Sequence, residues 1–178
     1  MIVAGEASGD THAAKLVSAI REKTAVDVEF FGAAGPKMRS VGVEPVVKSD
    51  ELSIVGLAEI GAALPMFFRA FRKLKDAAIA RRPDVAILVD FPDFNLRLAR
   101  KLSKNGIRVV YYISPQLWAW RSYRIRIIKK YVELLLTILP FEKDWYLNHG
   151  VDHVEYVGNP LAHEVFPSVD RIEFRRRN

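Results

Sequence analysis

The chain contains no cysteine, which excludes a disulfide framework or a thiolate metal site and makes a reducing, cytoplasmic compartment the expectation. Histidine is scarce, with four residues in all, at positions 12, 149, 153 and 163. His149 and His153 are four apart, but Gly150 between them works against a shared helical face, so no metal and no cofactor is expected. No uncharged apolar run reaches the roughly 18–20 residues that a bilayer-spanning helix needs. A secretory leader is not expected either, because Met1-Ile2-Val3-Ala4 runs straight into a polar glycine loop. The chain lacks the GxGxxG and Walker signatures, low-complexity linkers and internal repeats.

What is present suits a folded domain. The 178 residues are 50% apolar and 27% charged, enough to bury one core and too apolar for a disordered chain. The formal charge of +6 favours anionic partners such as phosphorylated substrates or an acidic lipid surface. Nucleic acid is not expected as a partner, since the basic residues interleave with amphipathic helices and no recognition motif occurs.

Short apolar runs alternate with helical spacing along the chain. Strands are predicted at Met1–Ala4 (short, as if its start were clipped), Val26–Phe31, Val43–Val47, Val85–Val89, Ile107–Ile113, Leu134–Leu139 and Val154–Val157. Helices are predicted at Thr11–Arg21, from Pro36 to about Val41, after Leu57 with Pro65 splitting the segment, at Asn95–Leu102, Arg121–Tyr131 and Phe141–His149. This order implies βαβ units and a doubly wound, Rossmann-like parallel sheet of the α/β class.

The stretch Pro83–Asn95, PDVAILVDFPDFN, organises the rest. Val85–Val89 is a continuous β-branched run, as expected of a strand covered on both faces, and it ends on Asp90. Asp93 suits a helix N-cap, which leaves Asp90 without a structural task at the edge where such sheets bind ligands. As a general base, Asp90 would need reach to a substrate proton and some exclusion of water. The alternative is a strand-end carboxylate tied up by backbone amides.

Other stretches have two readings each. Gly5-Glu6-Ala7-Ser8-Gly9-Asp10 lies between a strand and a helix, where backbone N–H groups would suit a phosphate or sugar hydroxyl; equally, Ser8 or Asp10 would merely cap the helix. In Ser114-Pro115-Gln116-Leu117-Trp118-Ala119-Trp120-Arg121, the tryptophans either pack under the loop or line a cleft. Arg121, Arg124 and Arg126 would meet a phosphate or form a solvated face. Glu142 suits the first turn of a helix. From Ile54 to Lys75, Leu64, Met66, Phe67, Phe68 and Phe71 make an apolar surface rimmed by Arg69, Arg72, Lys73 and Lys75. That pattern fits an interfacial membrane helix or a core helix with a basic outer stripe.

In this order, the stretches resemble lipid-A-disaccharide synthases. The matching segments are GEASGD (Gly5–Asp10), the G-x-x-G-P-x-M turn (Gly32–Met38), ELSIVGLAE (51–59), DFPDFN (Asp90–Asn95), SPQLWAWR (Ser114–Arg121), LPFE (Leu139–Glu142) and GNPL (Gly158–Leu161). GNPL stands where many members carry GHPL, so no role falls on a histidine there. The resemblance covers the N-terminal half of the family's length. It implies an N-terminal, acceptor-side lobe (1–165) of a two-lobed, GT-B type glycosyltransferase, with a basic tail (166–178) leading to an absent UDP-sugar-binding lobe.

The implied reaction joins UDP-2,3-diacylglucosamine and 2,3-diacylglucosamine 1-phosphate into a β-1,6 disaccharide with inversion and release of UDP. It implies Asp90 as catalytic base, with substrate contacts from Gly5, Glu6, Ser8, Gly9, Asp10, Ser114, Gln116, Trp118, Trp120, Arg121, Glu142 and Asn159. An anionic membrane surface, at the inner face of the inner membrane, would then be a partner of the Phe67–Phe71 helix. A homodimer of the full-length protein stays open, and this fragment is expected to be inactive by itself. The competing expectations are another UDP-sugar transferase or epimerase lobe with a soluble substrate, or a non-catalytic module binding a lipid phosphate.

Overall fold

A computed structural model of the chain describes residues 1–50 and 60–162. The segment 51–59, the Leu64 side chain, His163 and the basic tail with its expected boundary at 165/166 lie outside the described residues.

Seven strands form one sheet, all parallel, in the order β3-β2-β1-β4-β5-β6-β7. They are β1 (Ile2–Ala4), β2 (Phe31–Ala34), β3 (Glu44–Lys48), β4 (Val85–Val89), β5 (Arg108–Tyr112), β6 (Leu134–Thr137) and β7 (Val154–Tyr156). The helices are α1 (Ala7–Lys23), α2 (Pro36–Ser40), α3 (Ile60–Arg81), α4 (Pro92–Lys104), α5 (Ile125–Tyr131) and α6 (Glu142–Asn148). The alternation of strands and helices is the predicted doubly wound α/β pattern.

Alternate strand residues face opposite layers. Ile2, Ala4, Ala34 and Val89 pack with Ala13, Val17 and Met38 of α1 and α2. Val3, Leu88, Val109 and Leu135 pack with Leu74, Leu98, Ile128 and Tyr146 of α3 to α6. The direction of winding reverses between β1 and β4, which are neighbours in register from Ile2↔Ile87 to Ala4↔Val89. Their carboxyl ends, Gly5 and Asp90, therefore flank the crevice where such sheets bind ligands.

Several boundaries differ from the sequence expectation for local reasons. The second strand is Phe31–Ala34, not Val26–Phe31, and Val26 is 71% exposed. The slot beside β1 is closed on both faces, and a Cβ at position 32 would lie 1.8 Å from the Ile2 carbonyl oxygen. Only Phe31-Gly32-Ala33-Ala34 offers a glycine and small side chains there, so the more polar Val26–Phe30 stays outside the sheet. Helix α1 starts at Ala7 rather than Thr11, leaving Gly5-Glu6 as the whole loop. Pro65 does not split α3. Lying past the first turn, it forgoes the hydrogen bond to the residue four before it, and the helix continues through it. The segment Arg121–Tyr131 divides into a 3-10 turn at Ser122–Arg124 followed by α5.

Asp93 is not the N-cap of α4. Phe91 takes that place in left-handed conformation, with Pro92 at the first helical position. Proline suits that position because it has no N–H to satisfy.

Candidate active site

The turn after β4 is backbone-strained. Asp90 and Phe91 are consecutive left-handed residues, at φ 46° and 52°, a conformation that costs non-glycine residues about 1–3 kcal/mol each. Among the described residues five non-glycine positions have positive φ, and four of them (Asp90, Phe91, Ile113 and Arg121) lie at this carboxyl edge of the sheet. Hydrogen bonds hold the turn. The Asp90 N–H donates to the Tyr112 carbonyl at 2.9 Å, and the Asp90 carbonyl accepts from the Tyr111 hydroxyl at 2.7 Å and from Asn95 Nδ2 at 2.8 Å. Asn95, fully buried, also donates to the Val89 carbonyl at 3.1 Å.

The Asp90 side chain is half-buried, and burial pushes its pKa above the ordinary aspartate range, opposed by a hydrogen bond from the Phe91 amide. No lysine or arginine pairs with it among the described residues. Burial, and then the neighbouring Asp90 charge, hold the Tyr111 phenol well above its usual range. A partly dehydrated carboxylate with a raised pKa and an open side is suited to accepting a proton.

The Gly5–Asp10 loop divides its duties. A Cβ on Gly5 would lie 2.2 Å from the Phe91 ring, so that ring lies directly on the glycine. Gly9 brings α1 close to Ala4 and Val89. Glu6 and Ser8 are exposed at the start of α1. Asp10 is buried at 3% exposure, and its carboxylate accepts from the backbone N–H groups of Gly35, Lys37 and Met38 at 2.9–3.1 Å. Asp10 thus caps α2 rather than its own helix, which accounts for the carboxylate without a ligand.

The loop Ser114–Arg121 is tied to the Asp90 turn through Asp93. Arg121 Nη1 reaches both Asp93 carboxylate oxygens at 2.9 and 3.2 Å, and Arg124 pairs with the same carboxylate. Arg121 also lies over the Trp120 ring at 4.4 Å. Trp120 is 55% exposed and Gln116 is exposed, whereas Ser114 is buried. Glu142 is buried at 1% exposure: it accepts from Trp118 Nε1 at 3.2 Å and from the Ile138 and Leu139 amides at 3.3 and 3.1 Å. Its task beyond the helix dipole is to anchor the tryptophan loop to the end of β6. Trp118 packs edge-on against Phe141 at 5.0 Å.

Asn159 is half-buried and accepts from the Leu161 N–H at 2.9 Å. It lines a recess with Leu16, Tyr112 and Leu136, on the α1 side of the sheet and apart from the tryptophan loop. Asn95, Tyr111 and Asp93 were not among the expected site residues. Asn95 closes the DFPDFN segment, but what it holds became visible only with the turn.

The apolar helix splits its aromatics. Phe67 and Phe71 point inward, with ring centroids 5.5 and 5.7 Å from Phe94, and Phe67 lies 5.6 Å from Phe91. Phe68 and Met66 point outward, at 65% and 39% exposure, beside exposed Arg69, Arg72 and Lys73. No helix among the described residues is long and apolar enough to cross a membrane, and none of their histidine, aspartate and glutamate side chains cluster as a metal site would require.

A family model described as lipid-A-disaccharide synthetase matches residues 1–178. A lipid-A-disaccharide synthase of Myxococcus xanthus is 49% identical over 178 residues, covering 99% of this chain and 46% of the relative. Proteins of the same name from Koribacter versatilis and Acidobacterium capsulatum are 48% and 45% identical, over 99% and 96% of this chain and 46% and 42% of their own lengths. The chain spans about half the length of the curated relatives it matches.

Proposed function

The chain belongs to the lipid-A-disaccharide synthetase family, and from that premise we propose that it is the acceptor-side lobe of a two-lobed glycosyltransferase that makes lipid A disaccharide. In this reading the 6-hydroxyl of a 2,3-diacylglucosamine 1-phosphate attacks the anomeric carbon of UDP-2,3-diacylglucosamine. Asp90 takes the hydroxyl proton, UDP leaves with the bonding electrons, and the configuration inverts to a β-1,6 linkage. The UDP-sugar would be held mainly by the part of the protein that this chain does not span, so residues 1–178 alone would turn over little or nothing.

One observation carries the reading: a half-buried carboxylate with a raised pKa, on a strained turn at the switch point of the sheet, with no cation paired to it among the described residues. The exposed Phe68 and Met66, fringed by Arg69, Arg72 and Lys73, support a further part of it. They would rest on an anionic bilayer at the inner face of the inner membrane, from which both acylated sugars are drawn. The test is product formation by the full-length protein. We expect it to release UDP and form disaccharide from the two acylated sugars, and Asp90→Asn to lower kcat by 10²-fold or more, within the usual range for a lost general base. An Asn variant that kept most of the activity would remove Asp90 as the base. Full activity on short-chain, soluble sugars with no sedimentation on phosphatidylglycerol vesicles would favour a soluble substrate.

A further inference from the structure

A cleft of about 500 Å³ opens between α3 and α4, within the size range of small-molecule sites. Its floor is Phe67, Phe71, Phe94 and Ile127, and one wall carries Arg97, Arg100 and Lys101. These cations follow the i, i+3, i+4 spacing that puts side chains on one ridge of a helix, and all three are exposed. None pairs with a carboxylate among the described residues, although Arg100 lies over the Tyr131 ring at 6.0 Å. The acid at the rim, Asp93, is already engaged by Arg121 and Arg124. An apolar trough with an uncompensated positive wall is complementary to one kind of molecule: an amphiphile with a greasy tail and an anionic head.

We propose that this cleft holds one acyl chain of an anionic membrane phospholipid, with the phosphate on Arg97, Arg100 and Lys101. The inference rests on the bilayer docking proposed above for the outer face of α3. Phe68 belongs to both surfaces, lining the cleft while 65% exposed, so the cleft mouth is continuous with the docking face. The three cations lie five to nine residues beyond Pro92, about 8 to 14 Å along the α4 axis from the end that carries Asp90. A phospholipid bound there would fix the rotational setting of the lobe on the bilayer.

The test is calorimetric titration of the full-length protein with hexyl, octyl and decyl phosphate below their micellar concentrations, and with soluble dihexanoyl phosphatidylglycerol. We expect affinity to rise about fourfold for each added methylene, octyl maltoside to bind at least tenfold more weakly than octyl phosphate, and the phospholipid to displace the alkyl phosphate. The combined Arg97→Glu, Arg100→Glu and Lys101→Glu variant, whose replaced side chains are all exposed, should keep its melting temperature and lose tenfold or more in octyl phosphate affinity. Ile127→Trp, filling the floor, should abolish the dependence on chain length. Equal binding by the triple-charge variant, or equal binding of the maltoside, would overturn the site. Failure of the phospholipid to compete, while 2,3-diacylglucosamine 1-phosphate does, would overturn its assignment to a bilayer lipid. The docking reading fails separately: it falls if the wild type binds alkyl phosphate yet does not sediment with phosphatidylglycerol vesicles.

Discussion

At the scale of single residues, the carboxyl edge of the sheet carries conformational strain that nearby hydrogen bonds oppose. Asn95 and Tyr111 donate to the carbonyls of Val89 and Asp90 and so hold two successive left-handed residues. Asn95→Ala removes two donated bonds inside a closed core and should cost about 2 kcal/mol, against about 1 kcal/mol for Tyr111→Phe; urea denaturation of each variant measures the difference. Asp90 works the other way. Burial raises its folded pKa above the unfolded value, so the folded chain holds that proton more tightly. Its contribution to stability is fully present below the unfolded pKa and is lost as pH rises through the folded pKa. Asp90→Asn, which also tolerates a left-handed backbone, should therefore raise the melting temperature at pH 7 and not at pH 3. Together with the expected loss of activity, that pattern would mark a residue kept for chemistry at a cost in stability.

At the scale of elements, the aromatic contacts of α3 and α4 divide one helix between two tasks. Phe94, 3% exposed and in contact with Phe67, Phe71 and Phe91, is a core residue. Phe94→Ala should cost about 3–5 kcal/mol, read by thermal or denaturant unfolding. Phe68, on the same α3 surface but pointing outward, should tolerate serine with a change of about 0.5 kcal/mol or less. The Phe68→Ser variant should nevertheless sediment less with phosphatidylglycerol vesicles. Asp10 and Glu142 act at this scale too. Each uses one carboxylate to collect three donors: Asp10 takes all of them from the start of α2, and Glu142 takes two from the end of β6 and one from Trp118, tying the tryptophan loop down. Glu142→Gln keeps the volume but replaces an acceptor oxygen with a donor facing amide N–H groups. It should lower stability by roughly 2 kcal/mol and increase the fluorescence quenching of Trp118 by acrylamide.

At the scale of the whole molecule, the all-parallel sheet brings four loops to one edge: Gly5-Glu6, Asp90-Phe91, Ser114–Arg121 and the turn before Glu142. Phe91 on Gly5, Asp93 with Arg121, and Glu142 with Trp118 link them in sequence. Among the described residues Trp118, Trp120, Tyr123 and Phe141 remain 39–65% exposed at this edge, a considerable apolar area to leave facing water. A chain spanning about half of its relatives' length would cover that area with the remainder of the protein. Residues 1–178 expressed alone should therefore bind a hydrophobic dye such as ANS more strongly, per mole of this lobe, than the full-length protein does. Equal dye binding would argue that nothing packs against the aromatic edge.

The sequence by itself determined the alternation of strands and helices, the β4 strand and the carboxylate at its end, because periodicity and turn chemistry are local properties. It also carried the family motifs, whose order along the chain is independent of folding. The tertiary structure alone decided the rest. Phe31–Ala34 displaced the more β-like Val26–Phe31 because only the former fits a slot closed on both faces. Asp10 became a cap for a helix 26 positions onward, and Phe67 turned inward while Phe68 turned outward. In each case the deciding partner lies tens of residues away along the chain, and pairings across that separation exist only once the sheet has brought the segments together.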